Sequence, residues 1–81
     1  MHIVVHFYSY FKDLTGCAET TATLPAGSKI DDLLKQLAPR YPELDAMKRS
    51  TLIAVGVEYQ ARDYVLHEGE EVSLFPPVQG G

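Results

Sequence analysis

Residues 2–8 alternate between two faces in a way that predicts a β-strand. Ile3, Val5 and Phe7 fall on one face, which is wholly apolar. The other face consists of His2, Val4, His6 and Tyr8. A period of two residues in a run of β-branched and aromatic side chains is typical of a strand that lays one face on a core.

A second strand is predicted for residues 19–24, which are rich in threonine and alternate in the same manner. Residues 25–27, Pro-Ala-Gly, supply turn chemistry directly after it. Between the two strands, residues 9–16 fit one or two short helical turns that end at Gly16 in a left-handed conformation. The simplest interpretation of this first third of the chain is a hairpin of two strands.

An amphipathic helix is predicted after the hairpin. Ser28 precedes it as the expected N-cap, and Asp31 follows three residues later, as in a capping box. Apolar residues recur at helical spacing and form one stripe: Ile30, Leu33, Leu34, Leu37 and Ala38. Pro39 would cost about 3 kcal/mol inside a helix. The regular helix is therefore expected to end near Ala38.

The second half of the chain predicts further strands. Residues 43–50 are polar and are expected to form a loop or a frayed turn. Residues 51–57 form a near-continuous apolar run, typical of a strand buried on both faces, with Gly56 at a bulge or the entry of a turn. Residues 64–66 indicate a short strand or a turn, and residues 71–75 alternate again as the last strand.

The element order β-β-α-β-(β)-β predicts an α+β roll, in which one main helix covers one face of a mixed sheet of four to five strands. The 81 residues are expected to form a single domain, since a chain of this length has room for one modest core. If the last strand returns beside the first, the chain end is expected to leave from the edge of the sheet, with residues 78–81 as a flexible, protruding tail.

Composition and charge narrow the classes of partner. Eleven acidic residues stand against seven scattered basic ones, for a net charge of −4, which argues against a nucleic-acid partner. No apolar run approaches the roughly 20 residues of a membrane span. One cysteine, Cys17, and the lack of a signal peptide indicate the cytoplasm. Neither Cys17 nor the three histidines have the spacing of metal ligands, and no bound cofactor is expected.

The C-terminal segment carries the candidate chemistry. Pro76 and Pro77 remove two N–H donors and stop the last strand, which predicts a stiff, extended exit from the sheet. Gly80 and Gly81 end the chain without side chains, so the backbone could enter a narrow partner site. The terminal carboxylate becomes attackable by sulfide, thiol or amine once it is converted to an acyl-adenylate. The alternative is a frayed terminus without a role.

These residues are recognisable together: the chain resembles the small, ubiquitin-like sulfur-carrier subunits of molybdopterin synthase. The similarity covers nearly the whole chain, and the ending Phe-Pro-Pro-Val-Gln-Gly-Gly is its most specific part. The segments that carry it are residues 3–7, 13–16, 33–34, 40–42, 54–55, 66–72 and 75–81.

The resemblance implies a β-grasp fold and a sulfur-transfer cycle. An E1-like adenylyltransferase would use ATP to adenylate the Gly81 carboxylate, and a sulfur donor such as a desulfurase or a rhodanese-like protein would help to convert it to a thiocarboxylate. The large, catalytic subunit of the synthase would then accept the tail, and sulfur would pass to cyclic pyranopterin monophosphate. The small subunit alone would not hold a complete active site.

The candidate site residues follow from this resemblance. Gly81, assisted by Gly80, would carry the reacting group. Phe7 and Phe75 are expected to pair across the sheet on the face opposite the helix and to contact a partner, although either could instead be ordinary core. The remaining candidates for partner contact are Tyr59, Pro76, Pro77, Val78 and Gln79.

Two other functions use the same ending. A ubiquitin-like protein modifier would join the Gly81 carboxyl to a lysine of a target protein. A thiamin-type sulfur carrier would also need the Gly-Gly terminus. The Phe-Pro-Pro segment before the tail favours the molybdopterin synthase subunit over the thiamin-type carrier, by resemblance.

Overall fold

The computed structural model describes residues 1–77. The predicted tail, residues 78–81, lies outside the described residues, and so do the site candidates Val78, Gln79, Gly80 and Gly81. The elements in chain order are β1 (His2–Phe7), α1 (Phe11–Thr15), β2 (Glu19–Thr23), α2 (Ile30–Leu37), α3 (Pro42–Asp45), β3 (Leu52–Val55), β4 (Glu58–Tyr59) and β5 (Glu71–Phe75).

The first hairpin is confirmed. β1 pairs antiparallel with β2, and the register places Val5 opposite Thr20 and Ile3 opposite Ala22. The short helix α1 connects the two strands, and it ends at Gly16 with a φ of 76°. This left-handed conformation favours glycine because a Cβ atom would be strained there.

The five strands form one mixed sheet in the order β2-β1-β5-β3-β4. β5 runs parallel to β1 and antiparallel to β3. The prediction that the last strand returns beside the first is therefore confirmed, but the expected exit from the sheet's edge is wrong. Phe75 ends the central strand, so the segment that begins at Pro76 leaves the middle of the sheet. The physical reason is that β3 and β4 pair on the far side of β5.

The helix α2 covers one face of the sheet, as predicted, and ends at Leu37 with Ala38 as its C-cap. The core between the helices and the sheet is one cluster of buried apolar side chains. Its fully buried members are Ile3, Val5, Phe7, Phe11, Ile30, Leu33, Leu37, Leu66, Val72 and Leu74. Apart from Phe11 and Leu66, these are residues that the two periodicities of the sequence assign to inward faces.

The predicted N-cap of α2 is wrong by one residue. Lys29 is the N-cap, and its backbone N–H donates to Asp32 Oδ2 at 2.9 Å. Ser28 is instead buried, and its hydroxyl donates to the Pro25 carbonyl at 2.8 Å, within the turn before the helix. The Ser28 hydroxyl therefore bonds within the turn and does not cap the helix.

The second half of the chain contains one helix that was not predicted, and it decides two predictions that had alternatives. Residues 42–45 form a four-residue helix where a loop or a frayed turn was expected, and Pro42 fits its first turn without losing a hydrogen bond. The apolar run ends as a strand at Val55, and Gly56 enters a turn with a φ of 62°, as expected, which leads into β4. Residue Val65 makes only an isolated bridge with Lys29, so it is not part of the sheet.

Burial in β3 agrees with prediction except at its first residue. Ile53, Ala54 and Val55 are buried, although Ala54 lies on the sheet face opposite Ile53. Leu52 is 37% exposed, since its face of the sheet has no helix over it. Within residues 1–77, no helix has the length and apolar character needed to cross a membrane.

Candidate functional site on the open face of the sheet

The sheet face opposite α2 carries no covering element among residues 1–77, and we call it the open face. Side chains alternate along each strand, so every second residue of β1, β5 and β3 points to this face. The register between strands then sets which of them are neighbours. In its central part the open face consists of His6, Tyr8, Leu52, Ala54, Tyr59, Glu71, Ser73 and Phe75.

Three aromatic side chains meet on the open face, and we call them the aromatic patch: Tyr8, Tyr59 and Phe75. The rings of Tyr8 and Phe75 are stacked, with centroids 4.7 Å apart and planes at 10°. Tyr59 approaches Phe75 edge-on at 6.4 Å. Tyr8 is 42% exposed and Tyr59 is 70% exposed. Exposed aromatic rings in contact with one another are typical of protein interaction sites, where they dominate the binding free energy.

The aromatic patch lies at the point where the chain leaves the sheet. The backbone N–H of Tyr8 donates to the carbonyl of Leu74 at 3.2 Å, one residue before Phe75. Pro76 and Pro77 follow Phe75 directly and are half-buried. A partner that covers the patch would therefore also contact the first residues of the C-terminal segment.

Phe7 does not belong to this site, contrary to prediction. The parallel register pairs Phe7 with Leu74, which puts both on the helix side of the sheet. Phe7 is only 1% exposed, and its ring packs edge-on against Tyr41 at 5.4 Å. Direct contact between Phe7 and a partner is not compatible with this burial, and Phe7 is a core residue.

Tyr8 belongs to the candidate site although the sequence did not mark it. The alternation of β1 assigns Tyr8 to the face opposite Phe7, whereas the predicted aromatic pair of Phe75 is Phe7. The alternation of side chains could have indicated Tyr8. If Phe75 faces away from the helix, its neighbour on the first strand must be one of the even-numbered residues, which share that face. The choice required the register of two strands that are distant in sequence.

Charged side chains flank the aromatic patch on the open face. His6 Nε2 lies 2.6 Å from Glu71 Oε1, on the neighbouring strand. Because an ionised carboxylate only accepts hydrogen bonds, the imidazole donates in this pair. Glu19 of β2 lies directly opposite His6 in the register, and the ring of His6 is tilted against Tyr8 at 6.4 Å. His6 therefore lies between the aromatic patch and Glu71, and Glu19 occupies the opposite position on the neighbouring strand.

A hydrogen-bonded turn holds the beginning of β5. Glu70 accepts from the Tyr64 hydroxyl at 2.7 Å and from the backbone N–H of His67 at 2.6 Å. Partial burial of Glu70 favours its neutral form, but these hydrogen bonds outweigh that effect and hold the pKa of its carboxyl below the ordinary value. The same hydrogen bond raises the pKa of the Tyr64 hydroxyl, because ionisation would lose it. This network is structural, and it positions the strand that ends at the patch.

Cys17 lies away from the open face, in a half-buried position after α1. Its Sγ is 3.7 Å from Thr15 Oγ1 and 3.8 Å from the Tyr41 hydroxyl. Over residues 1–77, the structure contains no group of three histidine, cysteine or acidic side chains that could hold a metal ion. The open face with the aromatic patch is the candidate site, and its exposed rings are typical of a docking surface.

The fold and this site define a class of protein. A mixed five-stranded sheet with one main helix is the arrangement of ubiquitin-like β-grasp proteins. The chain belongs to the ThiS family, which matches residues 5–81. The β-grasp fold predicted from the sequence is confirmed.

The curated relatives narrow this class to one kind of carrier. The molybdopterin synthase sulfur carrier subunit of Chlamydomonas reinhardtii is 32% identical over 84 residues, which cover all of both chains. The subunit of the same name from Homo sapiens is 29% identical and covers 98% of this chain and 93% of its own. The predicted kind of function, a sulfur carrier of molybdenum-cofactor biosynthesis, is confirmed by these relatives.

Solved structures agree with this placement. A Pyrococcus furiosus protein assigned as molybdopterin converting factor, subunit 1, superposes with a TM-score of 0.86 at 27% identity, over 96% of this chain and 99% of its own. SAMP1 from Haloferax volcanii gives the same TM-score at 20% identity, and a Helicobacter pylori complex of subunits 1 and 2 of molybdopterin-converting factor gives 0.69 at 20%, each over the full length of both chains. At 20% identity the likeness shows the fold alone.

Proposed function

We propose that the chain delivers sulfur to the large subunit of molybdopterin synthase as a thiocarboxylate on Gly81. The observation that carries this proposal is the aromatic patch at the base of the C-terminal segment, where Tyr8 stacks on Phe75 one residue before Pro76. A docking surface beside the exit lets the partner bind the folded body and receive the end of the chain in the same complex.

The proposed chemistry at Gly81 needs no side chain of this protein. A carboxylate oxygen attacks the α-phosphate of ATP in the activating enzyme, and pyrophosphate leaves. A sulfide equivalent then attacks the carbonyl carbon of the acyl-adenylate, and AMP leaves with the electron pair of the broken C–O bond. The product is a thiocarboxylate, whose sulfur is a nucleophile on an arm without side chains at its last two positions.

The large subunit is the proposed acceptor and supplies the catalytic groups. In the Helicobacter pylori structure, the protein that shares this fold is bound to subunit 2 of molybdopterin-converting factor, which supports a two-subunit arrangement here. The sulfur would pass from Gly81 to cyclic pyranopterin monophosphate within that complex. ATP would bind the activating partner, and no cofactor would reside in this chain.

The proposed roles of the tail residues remain predictions. Gly80 would let the backbone approach the partner closely, while Val78 and Gln79 would line the entrance to its site. The E1-like enzyme, the sulfur donor and the cytoplasmic location expected from the sequence also stay predictions.

The experiment that tests the function measures intact mass. The full chain is incubated with ATP, a sulfide source and its cognate activating enzyme, and a chain that lacks Gly81 serves as the control. We expect a mass increase equal to exchange of one oxygen for one sulfur in the full chain alone, followed by its loss when the large subunit and the pterin substrate are added. No exchange, with lysine-linked adducts in cell extract, would instead support a protein modifier.

A further inference from the structure

The charges of this protein are segregated between the strands and the rest of the chain. All seven lysine and arginine residues lie outside the five strands. The strands nevertheless contain three glutamates: Glu19, Glu58 and Glu71. The basic residues, which are scattered along the sequence, thus all lie on helices and loops. The titratable side chains of the five strands are therefore the three glutamates, two histidines and Tyr59.

Two of the three glutamates point to the open face, and we call them the carboxylate border: Glu19 and Glu71. Both are exposed, and Glu71 keeps 63% of its side-chain surface in water. They lie on the two strands that flank β1, and His6 stands on β1 at the same level as Glu19. Together with His6, the border spans three neighbouring strands, and the ring of His6 lies 6.4 Å from the ring of Tyr8 in the aromatic patch.

No lysine or arginine of residues 1–77 forms an ion pair with this border. The ion pairs that involve lysine lie elsewhere, between Lys35 and Asp31 on α2 and between Lys48 and Asp45 at the end of α3. In the part of the chain that the structure describes, the border pairs with the imidazole of His6. The open face consequently has an aromatic end, next to the chain exit, and a negatively charged side.

We propose that this face binds a surface of the large synthase subunit with an apolar centre against the aromatic patch and a lysine or arginine against the carboxylate border. The inference rests on the proposed function for the identity of the partner. Opposite charges at the rim of an interface mainly steer the encounter and set its orientation, whereas the buried aromatic residues hold the complex together.

Orientation is the specific contribution of the border. Stacked aromatic rings present a patch that a flat apolar surface could cover at several rotations. One cation engaged by Glu71 removes this freedom, because the border lies on one side of the patch only. The rotation that satisfies both contacts would point the chain exit at Pro76 toward a single place on the partner.

The test compares charge reversals on and off the open face. The variant Glu71→Lys is measured beside Glu43→Lys, which makes the same change of net charge at an exposed position on α3, on the helix side. Association and dissociation rates with the cognate large subunit are measured at several ionic strengths. Thermal melting confirms that each variant is folded.

We expect the open-face variant to associate at least about tenfold more slowly at low salt and to lose most of the salt dependence of association. Glu43→Lys should change the association rate less than about twofold. A third variant, Glu71→Gln, removes one charge without reversing it and should give an intermediate rate. Equal association rates for the open-face variant and Glu43→Lys would overturn the inference.

The outcomes separate this inference from the proposed function. If the unchanged chain forms a thiocarboxylate and binds the large subunit, but charge reversal at the border has no effect, only the electrostatic inference fails. If the unchanged chain binds no large subunit and gains no sulfur, the proposed function fails and the inference falls with it.

Discussion

Tyr8 stacks on Phe75 across two parallel strands, with ring centroids 4.7 Å apart and planes only 10° from parallel. This pair joins the first strand of the chain to its last, at the position where the backbone leaves the sheet. The two rings therefore lie beside the start of the segment that leads to Gly81. A partner that recognises them gains a fixed reference point for the chain end.

The aromatic pair should contribute to binding much more than to stability. We expect Tyr8→Ala to weaken binding of the large subunit by about 2 kcal/mol, or roughly 30-fold, as is typical of an interface hot spot. Its melting temperature should fall by only a few degrees, since Tyr8 is 42% exposed. Titration calorimetry and thermal melting measure the two effects. The control is Val57→Ala, at a 98% exposed position outside the aromatic patch, which should leave affinity unchanged.

Phe75→Ala should weaken binding of the large subunit and also lower the stability of the fold. Phe75 contacts Tyr8 and Tyr59 on the open face, and it also pairs with Leu52 at the end of β5. We expect weaker binding, as for Tyr8→Ala, together with a measurable loss of stability in denaturant titration. Unchanged affinity for the large subunit would remove Phe75 from the site.

Phe7→Ala should reduce stability strongly, whereas Phe7 itself makes no direct contact with the large subunit. The side chain is 1% exposed and packs against Tyr41, so its removal leaves a cavity in the core. The expected cost is about 3–5 kcal/mol of unfolding free energy, a large share of the stability of a domain of this size. Phe7→Leu should cost much less and should bind the large subunit like the unchanged chain. A loss of affinity in a well-folded Phe7→Leu variant would return Phe7 to the site.

The Glu70 network predicts a pH-dependent contribution to stability. The pKa of the Glu70 carboxyl is lowered in the folded state, so its contribution is present above the unfolded value of about 4.3 and is lost as pH falls through the lower folded value. Glu70→Gln should therefore lower the melting temperature at neutral pH, and the difference from the unchanged chain should disappear at acidic pH. Thermal melts of Glu70→Gln and of the control Glu43→Gln across pH 2–7 would check this, and a constant difference would contradict it.

The outer edge of β2 is covered by side chains from α2 and the residues after it. Arg40 donates to the Thr21 carbonyl at 3.2 Å, and the side-chain amide of Gln36 donates to the Thr23 carbonyl at 3.0 Å. Exposed edge strands tend to pair with other chains, and these contacts occupy the carbonyl groups that would do so. We expect the double variant of Gln36→Ala and Arg40→Ala to self-associate.

Sedimentation velocity over a range of concentrations would measure this association. Lys35→Ala is the matched control, because Lys35 lies on the same helix but pairs with Asp31 instead of with β2. The control should sediment as the unchanged chain does. If the double variant also does so, the cover on the β2 edge has no protective role.

Elements with a strong local signal were predicted well. The period of 3.6 residues from Ile30 to Leu37 and the proline at position 39 defined α2 almost to its last residue. The alternation of residues 71–75 defined β5 with its bounds. Each of these signals is contained within one short segment and can be identified without knowledge of distant contacts.

Elements with weaker local signals differ from prediction. The four-residue helix at Pro42–Asp45 is too short to show a periodic pattern, and it exists because Leu44 is buried against the core. The strand Glu58–Tyr59 has only two residues and depends on pairing with Ala54 and Val55. Both elements are stabilised by tertiary contacts more than by their own residues.

By itself, the sequence determined which side chains of each strand share a face, where the main helix ends and which chemistry the Gly-Gly terminus could carry. These properties depend on backbone geometry and on neighbours a few residues away. The tertiary structure alone decided the strand order and register, because pairing between β1 and β5 joins residues more than 60 positions apart. That register placed Tyr8 instead of Phe7 against Phe75, and it brought Glu71 to His6 beside them.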